Sequence, residues 1–99
     1  MNLMLNGKVV LVTAASRGLG FATARELAAE GAHVVICSRT QPAIDAAAER
    51  LRSDPAVSAS GAEVRPVAAD VTNSADIASL RDAALDRFGR IDALYVNAG

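Results

Sequence analysis

Lys8 to Gly20, KVVLVTAASRGLG, is the stretch that most limits what this chain can fold into. It passes from an apolar tetrad through a glycine-bearing turn into a helical pattern. Val9, Val10, Leu11 and Val12 show no polar alternation, the signature of a central parallel strand buried on both faces. Gly18 and Gly20 remove side chains where backbone has to pass close to a ligand or a neighbouring strand, and Ser16 adds a hydroxyl to the same turn. The first N–H groups of the following helix point into that turn, where the helix dipole favours negative charge by about 0.3–1 kcal/mol. Strand, anion-binding loop and helix is the expected unit. A turn that binds nothing would use the same residue types, so this stretch alone leaves both readings open.

The remaining chain repeats the same alternation. The first helix is expected from about Gly18 to Glu30, with Ala24, Leu27 and Ala28 facing the sheet and Gly31 ending it. Val34 to Cys37 reads as the second strand, preceded by His33 as a surface or edge residue without metal partners. Thr40 is placed to cap a second helix with Pro42 in its first turn and Ile44, Ala47, Ala48 and Leu51 on one face. Ser53 to Ala62 reads as a mobile surface loop, and Glu63 to Ala68 as the third strand. Asn73, with Asp76 three residues on, caps a third helix carrying Ile77, Leu80, Ala84 and Phe88 at helical spacing, which Gly89 stops. Ile91 to Val96 is the fourth strand, with Tyr95 packed in the core. The pattern βαβαβαβ with right-handed crossovers predicts an α/β fold, a parallel sheet in the order 3-2-1-4 with helices on both faces: the first half of a doubly wound, Rossmann-type sheet.

Such a sheet binds ligands at the carboxyl ends of its strands. Ser38 and Arg39 stand about twenty residues beyond the glycine turn, where a dinucleotide's adenosine ribose is met. A site for NAD places a carboxylate there, and Ser38 takes that place. Arg39 and Arg17 suit a ribose 2′-phosphate through charge-assisted bonds worth about 1.5–3 kcal/mol each, so NADP(H) is favoured over NAD(H). Two solvated arginines are the alternative. Asp70, followed by Val71, ends the third strand, either as an acceptor for an adenine amino group or as an Asx turn leading into the next helix.

TAASRGLG resembles the T-G-x-x-x-G-x-G fingerprint of the short-chain dehydrogenase/reductase family, with Thr13, Gly18 and Gly20 matching and Ala14 in place of a glycine. An alanine there either keeps φ negative or bears a left-handed cost of about 1–2 kcal/mol. Asp70-Val71 matches the family's acid and apolar pair, and YVNAG resembles its N-N-A-G segment, with Asn97, Ala98 and Gly99 matching and Val96 replacing the first asparagine. The resemblance covers essentially the whole chain and is strongest to 3-oxoacyl-carrier-protein reductase-like members. Together with the loop and ribose positions it places the expected cofactor-binding residues at Thr13, Ser16, Arg17, Gly18, Leu19, Gly20, Ser38, Arg39, Asp70, Val71, Asn97, Ala98 and Gly99. Asn97 serves equally as a tie between strand ends.

The resemblance also implies a tyrosine, a lysine four residues later and a serine for proton transfer. The chain has one tyrosine, Tyr95, and one lysine, Lys8, in the wrong order, so no catalytic residue is assigned. At 99 residues the chain is expected to be a single unit, the N-terminal dinucleotide-binding half of a larger domain. Three readings follow: the cofactor-binding part of an NADP(H)-dependent oxidoreductase acting on alcohol and carbonyl groups, inactive by itself; a non-catalytic nucleotide-binding module; or a self-associating structural fragment. The full-length protein is expected to take a small-molecule substrate and to form a homo-oligomer. A net charge of −1 with scattered arginines makes nucleic acid a poor partner, and no apolar run reaches the roughly 18 residues of a membrane span. A cytoplasmic location is the default expectation, and Cys37 reads as a small buried side chain.

Overall fold

The computed structural model describes residues 3–97. A 3-10 turn, Leu3–Leu5, leads into β1 (Val9–Val12), α1 (Gly18–Ala29), β2 (His33–Ser38), α2 (Gln41–Arg52), α3 (Pro55–Ser60), β3 (Val64–Ala68), α4 (Ser74–Phe88) and β4 (Ala93–Tyr95). The strands form one parallel sheet in the order β3-β2-β1-β4. This is the expected first half of a doubly wound α/β fold. Among the described residues, no helix is long and apolar enough to cross a membrane.

The unbroken apolar run of β1 follows from its place in the sheet. Val10 and Val12, with Val34 and Ile36 of β2, face α1, α2 and α3, while Leu11, Val35 and Cys37 face α4. A polar side chain on either face would lie in a core. The helices supply small or periodic faces to match. Ala24 and Ala28 of α1 and Ile44, Ala47, Ala48 and Leu51 of α2 are all buried at the predicted spacing. On α4 the pattern holds for Leu80 and Ala84, but Ile77 in its first turn is exposed. Phe88 closes that core and stacks on His33 with ring centroids 5.0 Å apart. His33 Nδ1 accepts from the Glu63 N–H at 2.9 Å, so this edge histidine is tied to the backbone entering β3.

Three expectations need correction. Ser53 to Ala62 contains α3: Asp54 Oδ1 accepts from the N–H groups of Ala56 (2.9 Å) and Val57 (3.3 Å), Pro55 opens the first turn, and Gly61 ends it at φ +79°. One turn and a half is too short to show periodicity, and the buried Val57 holds it to the core. Thr40 precedes α2, but its side chain makes no cap bond; instead its carbonyl accepts from Ser38 Oγ at 3.3 Å. Tyr95 is 41% exposed rather than core. It lies in register with Val12, on the α1 face, while Leu94 lies in register with Leu11, on the α4 face, and is 59% exposed. Among the described residues, β4 pairs with β1 alone, which leaves its outer edge uncovered.

The sheet's two edges differ in the same way. β3 carries an exposed Arg65 and Pro66, which offers no N–H for pairing. β4 has neither device.

The turn leaving β1 positions everything at that end of the sheet. Ala14 sits at φ +50° and Gly18 at φ +62°. Gly18 is needed for that conformation alone, since a Cβ there meets nothing within 4 Å. Gly20 is needed for space: a Cβ would lie 2.8 Å from the Ala14 carbonyl carbon, closer still to its oxygen, and 3.0 Å from Asn97 Nδ2. Ala14 therefore bears the left-handed cost of about 1–2 kcal/mol that a glycine would avoid.

Ala14→Gly should relieve that strain but also gain about 0.4–1 kcal/mol of unfolded-state entropy, for a net stabilisation of about 0.5 kcal/mol in urea unfolding. Gly20→Ala should lose about 1–3 kcal/mol or more in the same measurement, because backbone rather than a flexible side chain stands in the way. Asn73 Oδ1 accepts from the Ala75 and Asp76 N–H groups at 2.9 and 3.2 Å. Asn73→Ala should therefore cost about 1 kcal/mol and Asn73→Asp little.

Acid should also weaken the fold. Arg25 holds the Asp54 carboxyl below its ordinary range, Arg87 does so for Glu63, the Thr72 hydroxyl for Asp70, and Arg90 for Asp92. Below pH about 4 the unfolded chain then binds more protons than the native one, so stability present above that range is lost as pH falls through the lowered folded values. Urea midpoints measured from pH 6 to pH 2 should fall, and Glu63→Gln should make the fall shallower.

Candidate functional site

The carboxyl ends of the four strands open on a cleft of about 1230 Å³. This exceeds the roughly 300–1,000 Å³ of a pocket for a drug-sized molecule. Its walls come from four places far apart in sequence: the turn into α1, the β2–α2 connection, the segment after β3, and the end of β4. Parallel strands joined by right-handed crossovers deliver all four to one edge.

Ser16, Arg17, Leu19, Gly20, Ser38, Arg39, Asp70, Val71 and Asn97 line the cleft, as the sequence predicts. Thr13 and Gly18 do not. Thr13 is 3% exposed; its Oγ1 accepts from the Asn97 N–H at 2.9 Å, and its carbonyl accepts from Asn97 Nδ2 at 2.8 Å. Thr13 N–H also donates to the Tyr95 carbonyl at 3.1 Å, so the pair clamps the ends of β1 and β4 together. Gly18 shapes the turn from behind. Ala98 and Gly99 lie outside the described residues.

Thr40, Thr72, Tyr95 and Val96 also line the cleft, although none was among the expected binding residues. Thr72 stands two residues after Asp70, where an Asx turn is closed, Thr40 directly follows Arg39, and Val96 belongs to the segment that resembles N-N-A-G. Tyr95 arrives by sheet register, which no local pattern reports.

The cleft's charge is uneven. The N–H groups of Gly18, Leu19 and Gly20 precede the first intrahelical bond of α1, which Phe21 donates to the Arg17 carbonyl, and no side chain caps them. Arg17 and Arg39 are exposed, and neither guanidinium is held in a hydrogen bond or ion pair among the described residues. A phosphate would find a helix N-terminus and two guanidinium groups without an ion-pair partner among the described residues.

Asp70 supplies the opposite charge. Its Oδ1 accepts from Thr72 Oγ1 at 2.7 Å and from the Thr72 N–H at 2.9 Å. The hydroxyl bond is the main reason its carboxyl stays below the ordinary range, aided by the backbone bond and the field of Arg39. The Asx turn is therefore present on a residue that also lines the cleft. Cys37, in the cleft floor, is buried, and burial pushes its thiol up, as expected of a packing residue. Among the described residues, no group of His, Cys, Asp and Glu is placed to hold a metal ion.

Comparisons with known proteins meet the same residues. The family model described as short chain dehydrogenase matches residues 8–99. Tropinone reductase-like 3 of Erythroxylum coca is 44% identical over 92 residues, which cover 93% of this chain and 33% of that protein. L-Sorbose reductase of Gluconobacter frateurii, solved with NADPH and L-sorbose, superposes with a TM-score of 0.87 at 33% identity, over 100% of this chain and 36% of that one. A short chain dehydrogenase/reductase from Burkholderia phymatum, solved with NAD, gives a TM-score of 0.80 at 36% identity, over 95% of this chain and 31% of that one. The chain thus spans about a third of the length of the relatives it matches. With the family model matched over residues 8–99, the chain belongs to the short chain dehydrogenase family.

Proposed function

We propose that residues 1–99 are the N-terminal, cofactor-binding half of a Rossmann domain in an NADP(H)-dependent oxidoreductase of alcohol and carbonyl groups. The observation that carries this reading is the pairing of an uncapped α1 N-terminus with Arg17 and Arg39 in one cleft, with Ser38 rather than a carboxylate where the adenosine ribose would lie. A pyrophosphate would sit against the N–H groups opening α1, and a ribose 2′-phosphate against the two arginines. Asp70 would accept from the adenine amino group, and Asn97 would border the cleft from the β4 side. Ala98 and Gly99 complete the proposed set of binding residues. When bound, the nicotinamide supplies or receives the hydride.

The similar structures include one solved with NAD and one with NADPH, which supports a nicotinamide cofactor. The phosphate preference rests on the two arginines and on Ser38 in place of a carboxylate. The names of the relatives, a tropinone reductase-like protein and a sorbose reductase, support reduction of a carbonyl as the chemistry without singling out carrier-protein thioesters as substrate. Homo-oligomerisation of the full-length enzyme and its cytoplasmic location belong to the same proposal.

The 99-residue chain by itself is read as a binding module without turnover. Lys8 precedes β1 while Tyr95 pairs with the last residue of that strand, so the two lie near opposite ends of the sheet and make no proton-transfer pair.

Titration of the chain with NADPH and NADH by nicotinamide fluorescence tests the reading. Arg39→Ala should weaken NADPH about tenfold, the low end for a charge-assisted bond at an exposed site, and leave NADH within about twofold. Equal losses for the two nucleotides would remove the phosphate assignment, and binding of neither by the unaltered chain would remove the cofactor reading.

A further inference from the structure

Asp70 is held more firmly than a loop carboxylate needs to be. Its backbone N–H donates to Asp76 Oδ2 at 2.8 Å and its carbonyl accepts from the Asn73 N–H at 2.9 Å, so the first turn of α4 fixes the main chain on both sides of the residue. The side chain is fixed separately: Thr72 spends both its N–H and its hydroxyl on the same oxygen, Oδ1. An Asx turn requires only the first of these bonds. The second leaves Oδ2 as the one carboxylate oxygen without a hydrogen-bond partner among the described residues, on a side chain that lines the cleft.

We propose that Thr72 is a positioning residue for Asp70: its hydroxyl holds Oδ1 and leaves Oδ2 of this cleft-lining residue to accept from a ligand, so that the site selects a 6-aminopurine nucleotide over a 6-oxopurine one. This rests on the dinucleotide reading above. The selectivity follows from donor and acceptor chemistry. An ionised carboxylate only accepts, so it matches the exocyclic amine of adenine and opposes the carbonyl oxygen that hypoxanthine carries in the same place. Locking matters because a carboxylate free to turn could pivot away from that carbonyl and lose the discrimination. Arg39 is the charged group whose field reaches this carboxylate, while Asp76 engages only the Asp70 backbone N–H.

The test compares NADPH with its hypoxanthine analogue on the unaltered chain, Thr72→Val and Thr72→Ser. Valine keeps the backbone bond and the size of the residue but lacks the hydroxyl, while serine retains it. The unaltered chain should prefer NADPH by about tenfold, Thr72→Val by only about two- to threefold, and Thr72→Ser should recover most of the preference. A merely structural role for Thr72 would lower affinity for both nucleotides alike and leave their ratio unchanged.

A second measurement needs no ligand: the Asp70 carboxyl, followed by carbon NMR, should titrate at higher pH in Thr72→Val than in the unaltered chain or Thr72→Ser. An unchanged nucleotide ratio, or an unchanged Asp70 titration, in Thr72→Val would overturn the proposal while leaving the dinucleotide reading intact. Failure of the unaltered chain to bind either nucleotide would overturn the dinucleotide reading and the base selectivity with it.

Discussion

The approach of α1 to the end of β1 is the contact on which the cleft depends. With hydrogen alone at position 20, the helix starts directly against the Ala14 carbonyl and beside the Asn97 amide. That closeness aims the helix N-terminus across the strand ends rather than out to solvent. Asn97 reaches the buried Thr13 from the far side with two hydrogen bonds, so β1, α1 and β4 meet at one junction. Any side chain at position 20 would push these three apart together.

Around that junction the molecule is built unevenly. One face of the sheet is covered by three helices and holds most of the buried side chains; the other is covered by α4 alone, over β1 and β2. The outer β3 edge bears an arginine and a proline, while β4 shows an apolar, uncharged edge. Natural sheets blunt exposed edges with such residues, and here only β3 carries them. The cleft lies between these extremes, walled on the α2 side by Ser38 and Arg39 and bordered on the other by Tyr95 and Val96.

Much of the fold was legible because its signals are local and of the right period. Four apolar runs and three long amphipathic segments, punctuated by Gly31 and Gly89 at positive φ, suffice for the order of strands once crossovers are right-handed. Six residues are too few to carry a helical period, so α3 looks like loop in the sequence although Asp54-Pro55 and Gly61 mark its two ends. Apolar runs look alike whether or not a neighbour covers them, so Tyr95 resembles a core residue and only the sheet's extent shows otherwise. Thr40 stands at the N-cap position of α2, where its carbonyl accepts from Ile44 N–H, but whether its side chain also caps depends on a rotamer that residue type does not settle.

The sequence by itself determined the alternating architecture, the glycine turn, the position of Ser38 and Arg39 just beyond β2, and the caps at Asn73 and Gly89. Each of these depends on residues within a few positions of one another, where backbone sterics and short hydrogen bonds act. Only the tertiary structure decided that Ala14 takes the left-handed conformation, that Thr13 ties strands instead of lining the cleft, and that Thr72 doubles its hold on Asp70. The first two follow from contacts between residues as many as 84 positions apart. The third is local in sequence but is set by one rotamer, and residue type alone leaves that choice open.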